Sequence, residues 1–412
     1  MTEAARHIER IVRTVADPER LVADIGPVRG ATLSHGLPGT ALLLAALAAG
    51  EPALARRAEQ HWETAAGLLR GRAPDGIHSG PGALAASVVV GSAYLREPRP
   101  ELLDRAASWL TARAHGLALH QRRRLAAGYR GSPWGVYDAV KGLSGIGRVL
   151  LVAYRAGCAP AAPGLTAALA TLTGLIRAPA NGLPGWWLPA GDHRLPLAGE
   201  VPPSGAATTG LAHGIAGPLA LLSLAADAGY TVPGQGTAIR TAADWLLSWT
   251  DDDHGCPAHI SGDALRRPPD PRRLSAAPGR RHAWCYGAAG IGTAVAHAGR
   301  ALEDDGLRRA GRDMITAIAR RPEDRWDTEG PGLCHGSAGV LQAAHRAGCT
   351  ELARRALRLT SDLLREPGEE AGGATDAGFL GGVTGAACAL AEAEGLLPVP
   401  GWGTWDAVLL LN

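Results

Sequence analysis

The apolar positions of the chain fall into two alternating patterns, and both predict helices. Runs rich in alanine, leucine and valine carry almost no charge and are long enough for about three helical turns, which is typical of helices buried on most sides. Between them, segments such as 54–69 and 239–247 place apolar residues at helical spacing on one side only, among charged residues. We therefore expect buried helices that alternate with half-exposed ones.

Each buried run follows a short glycine motif, so the pattern is a repeat. The unit is a glycine, two residues, a second glycine or near equivalent, and then the apolar stretch. Glycine lacks a Cβ and therefore allows turn dihedrals and close backbone approach where each helix begins. The seven copies are HGLPGTALLLAALA from His35, HSGPGALAASVVV from His78, KGLSGIGRVLLVAY from Lys141, HGIAGPLALLSLA from His213, YGAAGIGTAVAHAG from Tyr286, HGSAGVLQAAHRAG from His335 and LGGVTGAACALAEA from Leu380.

Seven buried helices alternating with amphipathic ones predict an all-α fold, an α/α toroid in which seven inner helices are covered by seven outer helices. No alternating run long enough to form a sheet is evident. We expect residues 1–412 to form a single domain. Longer segments separate some copies, around 181–205 and 251–281. Because the loops that enter the inner helices meet at one end of such a ring, we expect these two segments to wall a substrate cleft.

Composition and charge exclude several classes of function. A net charge of +2 is too small to attract nucleic acid, so we expect no nucleic-acid partner. Residues 1–20 are charged throughout and lack a secretory pattern, and the longest apolar runs are too short to span a bilayer, so we expect a cytoplasmic protein. Six cysteines are too few for a disulfide scaffold in a chain of this length, and clustered cysteines are therefore candidates for metal ligands or nucleophiles.

Three potential metal ligands occupy equivalent positions in adjacent repeats. Cys285 lies two residues before Gly287 of the fifth copy, and Cys334 and His335 directly precede Gly336 of the sixth. Adjacent inner helices should therefore begin side by side with two thiols and an imidazole, which are ligands that zinc prefers. A set of two cysteines and one histidine predicts one Zn²⁺ per chain, with a fourth position left for water or substrate.

Two other interpretations of these residues remain open. They could be buried thiols beside a capping histidine, or a closed structural zinc site whose fourth ligand is His254, Cys256 or His259. In an open site, two thiolates and one neutral imidazole already neutralise Zn²⁺. A substrate thiol bound there would be ionised yet would stay nucleophilic, which predicts thiol-alkylation chemistry.

Further polar and aromatic residues lie where the loops meet the inner helices. Asp138 precedes the third copy, His213 opens the fourth, and Arg281 lies just before the fifth. An acid, an imidazole and a guanidinium could converge beside the metal, although each also fits a helix cap or a paired surface charge. Trp284 and Tyr286, which flank the first cysteine of the set, are expected to line the substrate cleft.

The motifs together resemble those of a known family, the lanthionine synthetase C-like proteins, which include the LanC cyclases of lanthipeptide biosynthesis. The resemblance spans nearly the whole chain and implies an α/α toroid with a zinc held by Cys285, Cys334 and His335. The motifs that carry it are SHGLPG at Ser34, YDAVKGLSG at Tyr137, LAHGIAG at Leu211, WCYGAAGIG at Trp284, LCHGSAG at Leu333 and GFLGGVTG at Gly378.

The resemblance also implies a reaction, the addition of peptide cysteines to dehydroalanine or dehydrobutyrine to form thioether rings. It implies that His213 is the acid–base residue, that Asp138 is its partner and that Arg281 is a further active-site group. The implied substrate is a dehydrated precursor peptide, and a dehydratase and an exporter are possible partners that would bring the protein to the membrane. Lys141 departs from the pattern, because a small or apolar residue is expected before Gly142.

Two other functions remain open at this stage. A zinc-thiolate prenyl or alkyl transferase also combines a toroid with a zinc site, but it needs an aromatic pocket, and this chain has one phenylalanine and six tyrosines. The sequence is also compatible with a LanC-like protein that binds glutathione or another thiol, or serves as a scaffold, without closing rings.

Overall fold

A computed structural model of the chain describes residues 2–71, 75–129, 131–179, 182–193, 201–267, 269, 282–326, 328–365 and 376–412. Most of these residues are helical. The α-helices are α1 (Glu3–Val15), α2 (Pro18–Gly30), α3 (Leu37–Leu47), α4 (Ala53–Gly67), α5 (Gly80–Gly91), α6 (Pro100–Ala126), α7 (Trp134–Tyr137), α8 (Leu143–Arg155), α9 (Ala161–Arg177), α10 (Ala216–Asp227), α11 (Gln235–Ser248), α12 (Gly262–Leu265), α13 (Ala288–Ala301), α14 (Asp305–Ala317), α15 (Ser337–Arg346), α16 (Thr350–Leu363) and α17 (Val383–Ala393).

Short 3₁₀ helices and strands complete the described elements. The 3₁₀ helices are Ser92–Tyr94, Ala190–Asp192, Ile318–Arg320, Glu323–Arg325 and Trp405–Leu409, and the strands are β1 (Trp187–Leu188), β2 (Ala206–Thr208) and β3 (His259–Ser261).

The helices form two concentric rings. The inner ring consists of α3, α5, α8, α10, α13, α15 and α17, each in contact with the next, and α17 contacts α3 to close the circle. Each inner helix also packs on the outer helix that follows it, namely α4, α6, α9, α11, α14 and α16, while α17 packs on α1. This is the predicted α/α toroid of seven inner and seven outer helices. Each inner helix begins at a repeat predicted from the sequence.

Burial explains why the two sets of helices differ in sequence. In α3 every residue from Leu37 to Ala46 is buried, whereas in α4 only one face is buried, including Leu54, Ala58 and Trp62. An inner helix is covered by neighbours and by an outer helix, and an outer helix meets solvent on one side. Among the described residues, no helix combines the length and the apolar character needed to cross a membrane.

The loops that lead into the inner helices are joined by a closed circle of backbone hydrogen bonds. In each bond an N–H of one loop donates to a carbonyl of the neighbouring loop. The donors and acceptors are Leu33 and His78 (3.0 Å), Ile77 and Val140 (3.0 Å), Ala139 and Ala212 (3.0 Å), Ala212 and Cys285 (3.2 Å), Cys285 and Cys334 (3.1 Å), Cys334 and Leu380 (2.8 Å), and Leu380 and Ser34 (3.1 Å). These bonds hold residues that are distant in sequence at one end of the ring.

The second glycine of each repeat is required by the same loops. It lies six residues after a carbonyl oxygen that folds back onto the start of the helix, and an added Cβ would come within 3 Å of that oxygen. The glycines and the carbonyls are Gly39 and Leu33, Gly82 and Gly76, Gly145 and Ala139, Gly217 and Leu211, Gly290 and Trp284, Gly339 and Leu333, and Gly385 and Phe379. The glycine motif therefore repeats in the sequence because one loop-to-helix junction recurs in the structure.

Replacing Gly39 with alanine is expected to destabilise the fold by about 1–3 kcal/mol, because the new methyl group would meet the Leu33 carbonyl and the Cβ of Phe379. Gly174→Ala in α9 is the matched control, since a Cβ there meets nothing within 4 Å. This control should raise stability by roughly 0.5–1 kcal/mol. Urea unfolding midpoints measure both effects, and equal midpoints would mean that the close approach does not explain the repeated glycine.

The structure contains one small sheet that the sequence pattern did not indicate. Strands β1, β2 and β3 form an antiparallel sheet, with Trp187 paired to Ala207 and Thr208 paired to His259. Each strand has only two or three residues, too few to show an alternating pattern in the sequence. The sheet joins described parts of the two long segments, 181–205 and 251–281, beside the loop that precedes α10.

Residues 404–412 enter the centre of the ring. Trp405, Leu409 and Leu410 are fully buried among the inner helices. Trp284 donates its indole N–H to the carbonyl of Leu409 at 2.9 Å, and Nε of Arg148 donates to the carbonyl of Asn412 at 2.7 Å. The segment therefore fills the centre of the inner ring, and it contacts both a glycine loop and the middle of α8.

Candidate metal centre and active site

Cys285, Cys334 and His335 lie together at the glycine-loop end of the ring. One donor atom from each, the two Sγ atoms and an imidazole nitrogen, lie within 4.8 Å of one another. Cys285 is buried, whereas Cys334 and His335 are half-buried. It is the only such group of three potential ligands among the described residues. The structure thus brings together the three residues that the repeat register aligned.

Backbone hydrogen bonds fix the two loops that carry these ligands. The N–H of Cys285 donates to the carbonyl of Cys334 at 3.1 Å, and the N–H of Cys334 donates to the carbonyl of Leu380 at 2.8 Å. The loops before α13 and α15 are thereby held edge to edge, and their thiols face each other. Since both loops are anchored to the ring, the ligands are positioned before any ion binds.

The donor set fits zinc in both chemistry and spacing. In a tetrahedral site with Zn–S bonds of about 2.3 Å and Zn–N bonds of about 2.0 Å, neighbouring donor atoms are separated by about 3.5–3.8 Å. The measured limit of 4.8 Å is compatible with this separation after small side-chain adjustments. His254, Cys256 and His259 are described and do not belong to the cluster. The structure therefore does not support a closed site with one of them as the fourth ligand.

The pKa of Cys285 is well below its ordinary value. The main cause is a hydrogen bond from Cys334, which stabilises the thiolate; burial acts in the opposite direction, and His335 lowers the pKa further through a hydrogen bond and its charge. The thiolate is the form of cysteine that binds metals. The pair of thiols is thus prepared for ligation in the folded chain.

In the metal-free protein we expect Cys285 to absorb ultraviolet light as a thiolate at neutral pH. A depressed pKa contributes folding free energy that is fully present above the ordinary thiol value of about 8.5 and is lost as the pH falls towards the lowered value. The difference in thiolate absorbance between wild type and Cys285→Ala, followed by pH titration, measures this. An absorbance that appears only above about pH 8.5 would contradict the prediction.

A carboxylate lies beside His335, the candidate metal-ligand histidine. Oε2 of Glu329 is 3.6 Å from Nε2 of His335, and the N–H of Glu329 donates to the carbonyl of His335. Carboxylates in this position orient metal-binding imidazoles and leave the other ring nitrogen, here Nδ1, for the ion. Sequence reasoning missed Glu329, although a carboxylate six residues before the histidine is a visible signal.

His213 and Asp138 form a tight pair on the neighbouring loops. Nδ1 of His213 lies 2.6 Å from Oδ2 of Asp138, whose side chain is 1% exposed. The other carboxylate oxygen accepts backbone N–H groups from Val140 (3.1 Å), Lys141 (2.6 Å) and Gly142 (2.8 Å). Because an ionised carboxylate only accepts hydrogen bonds, Nδ1 of neutral His213 carries the hydrogen and Nε2 keeps its lone pair.

The pair adjoins the metal-ligand loop. The N–H of Ala212 donates to the carbonyl of Cys285, so the residue before His213 is hydrogen-bonded directly to the first candidate metal ligand. The imidazole of His213 stacks on Trp134, with ring centroids 5.5 Å apart, and lies 6.3 Å from the ring of Tyr286. Trp134 was not singled out from the sequence, although it stands in the same WGVYD stretch as Asp138.

Tyr286 lies beside the site with a buried hydroxyl that has no hydrogen-bond partner among the described residues. Burial raises its pKa well above the ordinary value, so the hydroxyl remains protonated and can donate. The side chain of Trp284 points into the core instead. It is fully buried in the core and donates to the carbonyl of Leu409, so its predicted place in the substrate cleft does not agree with the structure.

Two further predicted residues have different outcomes. Arg281 lies outside the described residues, and its predicted role stays a prediction. Lys141, the departure from the expected motif, is half-exposed, and its Nζ lies 3.0 Å from Oδ2 of Asp75. Its backbone N–H supports Asp138, so the residue change at this position leaves the His213–Asp138 pair intact.

Comparison with known proteins agrees with this architecture. Residues 27–395 match the family model described as lanthionine synthetase C-like protein. A solved structure described as nisin cyclase is similar with a TM-score of 0.75 and 22% sequence identity, over 99% of this chain and 97% of that chain. At this identity the likeness establishes the fold, which is the α/α toroid. No curated protein sequence matches the chain.

Proposed function

Because the chain belongs to the lanthionine synthetase C-like family, we propose that it is a zinc-dependent lanthipeptide cyclase. The observation that carries the proposal is the cluster of Cys285, Cys334 and His335 at the same end of the ring as the His213–Asp138 pair. The proposed substrate is a dehydrated precursor peptide with cysteines and dehydroalanine or dehydrobutyrine. The proposed products are lanthionine and methyllanthionine rings.

Cys285, Cys334 and His335 would hold the zinc, which when bound is a Lewis acid that lowers the pKa of a coordinated substrate thiol. These three residues supply fewer than the four ligands of a closed structural site, so a position remains for the substrate. Cys334 and His335 are half-buried, whereas Cys285 is buried. Substrate is therefore expected to approach from the side of Cys334 and His335.

His213 is the proposed proton carrier. Nδ1 is held by Asp138, so Nε2 is the nitrogen that accepts a proton from the substrate thiol and returns it to the product. Asp138 stays ionised and stabilises the imidazolium while the proton is on the ring. The stacked ring of Trp134 limits rotation of the imidazole.

The proposed reaction is a balanced addition across a double bond. The substrate sulfur loses its proton to His213 and forms a C–S bond with the β-carbon of the dehydro residue. The electron pair of the C=C bond moves to the α-carbon and its carbonyl, and the α-carbon then takes the proton from His213. The Tyr286 hydroxyl, which has no partner among the described residues, can donate to the carbonyl oxygen as negative charge develops.

The proposal is tested by incubating zinc-loaded protein with a synthetic peptide that contains one dehydroalanine and one cysteine. Ring closure does not change the mass of the peptide, so the product is treated with a thiol-blocking reagent before mass spectrometry. We expect the cyclised peptide to resist blocking in the presence of the protein and the uncyclised peptide to be blocked in its absence.

The same experiment distinguishes the cyclase from a thiol-binding protein. A binder of glutathione or of peptide thiols would take up the peptide without protecting its cysteine after denaturation. Zinc bound at full occupancy with no protected product from several dehydrated peptides, combined with saturable glutathione binding, would overturn the proposal in favour of the binder.

A further inference from the structure

A second cavity lies at the end of the inner ring opposite the proposed zinc site. Its volume is about 520 Å³, and it is enclosed by the last turns of α8, α10, α13 and α15 together with the final residues of the chain. We call it the arginine cavity, after Arg148, Arg155, Arg300 and Arg346, which line it. Along α13, which begins three residues after Cys285, the cavity is lined by Thr293, Ala296, His297 and Arg300.

Arg148 is the central observation. It lies in the middle of α8 and is 2% exposed, yet no Asp or Glu side chain among the described residues pairs with it. Its Nε donates to the main-chain oxygen of Asn412 at 2.7 Å, and its buried Nη1 has no hydrogen-bond partner within the described chain. A buried guanidinium N–H without an acceptor is costly, and a bound anion would satisfy it.

The other charged groups around the arginine cavity are partly compensated by acids. Arg346 is paired with buried Asp406 at 2.7 Å and with Glu392 at 2.6 Å, so its charge is fully compensated. Arg300 is 3.9 Å from Asp227, which is the one acidic side chain of the lining.

Two further groups complete the charge of the lining. The Arg155 guanidinium donates to the Gly401 carbonyl at 3.0 Å, and burial together with Arg300 lowers the pKa of His297 to about 3, which keeps that ring neutral. Among the side chains that line the cavity, four arginines therefore face one acidic group, Asp227, and a carboxyl group on Asn412 would add a second negative charge. Asp406 and Glu392, which compensate Arg346, are not part of the lining.

Capping of helix ends accounts for only part of this arrangement. Arg155, Arg300 and Arg346 lie in the last turns of their helices, where cations interact favourably with the helix dipole. Arg148 lies two turns earlier and is directed into the cavity instead. Capping therefore does not explain the residue whose N–H is left without an acceptor.

We propose that the arginine cavity binds a small phosphate-bearing molecule, with Arg148 and Arg300 donating to the phosphate oxygens. A phosphate group carries a charge of about −1.5 to −2 and has enough oxygens to accept from two guanidinium groups on different helices, whereas a carboxylate has only two oxygens. The cavity is larger than a phosphate ion, and Leu151, Leu224 and Leu411 form apolar parts of its wall. These side chains fit an organic group attached to the phosphate.

The test uses the full zinc-loaded chain and isothermal titration with phenyl phosphate, inorganic phosphate and benzoate. Phenyl phosphate should bind most tightly, inorganic phosphate more weakly, and benzoate at least ten-fold more weakly than phenyl phosphate. Arg300→Gln, at a half-exposed position, should weaken phenyl phosphate binding about ten-fold or more through loss of a charge-assisted hydrogen bond. Arg148→Met should abolish binding.

Arg354→Gln is the matched control, since Arg354 is an exposed arginine of α16 whose partner is Glu351. The affinity of the Arg354→Gln variant for phenyl phosphate should equal that of wild type. Loss of buried Arg148 can also unfold the chain. If Arg148→Met does not fold, the affinity of Arg300→Gln for phenyl phosphate tests the proposal. No saturable binding of either phosphate up to roughly 10 mM, equal binding in Arg300→Gln and Arg354→Gln, or benzoate binding as tight as phenyl phosphate would overturn the proposal.

Discussion

Cys285→Ala is expected to lose its zinc and to reduce cyclisation of a dehydrated peptide by more than about 100-fold. The variant keeps only Cys334 and His335 from the cluster, and even changes to residues behind a metal ligand lower metal affinity 10- to 100-fold. The hydrogen bond that stabilises the thiolate of Cys285 is also lost. Zinc content by mass spectrometry and the thiol-blocking assay measure the two effects on the same sample.

Cys158→Ala is the control for a cysteine that is buried but not a ligand. Burial and the nearby carboxyl group of Asp104 raise the pKa of Cys158 to about 12, the opposite of the effect at Cys285. Its replacement should leave zinc content and cyclisation unchanged. If Cys285→Ala retained full zinc occupancy and normal cyclisation, the metal site would have to be assigned elsewhere.

The ring and the proximity of Cys285, Cys334 and His335 were predictable because one structural junction recurs in every repeat. In each copy the second glycine leaves room for a carbonyl oxygen that folds against the start of the helix, as at Gly39 and Gly339. Equivalent positions in adjacent copies therefore become neighbours in space. That register predicts from the sequence alone that Cys285 lies beside Cys334.

Side-chain direction was not predictable in the same way. Trp284 and Tyr286 are two residues apart and flank the same ligand, yet the first enters the core and the second approaches His213. The direction of Trp284 is decided by its hydrogen bond to Leu409, which comes from the distant end of the chain. Local spacing holds no information about such a contact.

The sequence contains one sign of the arginine cavity, a charged residue within a buried helix. Arg148 interrupts an apolar run, GIGRVLLVAY, in which every other side chain suits a buried helix. A charge in such a run indicates either a paired core arginine or a binding site. Only the structure shows that its Nη1 has no acceptor among the described residues.

Asp138→Asn is expected to lower the cyclisation rate by about 10²–10⁴-fold while zinc content and fold are retained. The oxygen of the new amide must accept the three backbone N–H groups of Val140, Lys141 and Gly142, since the NH₂ group cannot. The NH₂ group then faces Nδ1 of His213, which can no longer be the donor. The ring hydrogen moves to Nε2, and the nitrogen proposed to accept the substrate proton loses its lone pair.

His213→Asn tests the same unit from the other side. If Asp138 acts through His213, the double variant should be no slower than about the slower single variant, because residues that work as a unit do not give additive losses. A pH–rate profile distinguishes this from a merely structural effect: we expect the wild-type rate to depend on the protonation of an imidazole and the rate of His213→Asn not to. Rates within about three-fold of wild type in both single variants, with zinc bound, would assign proton transfer to another group.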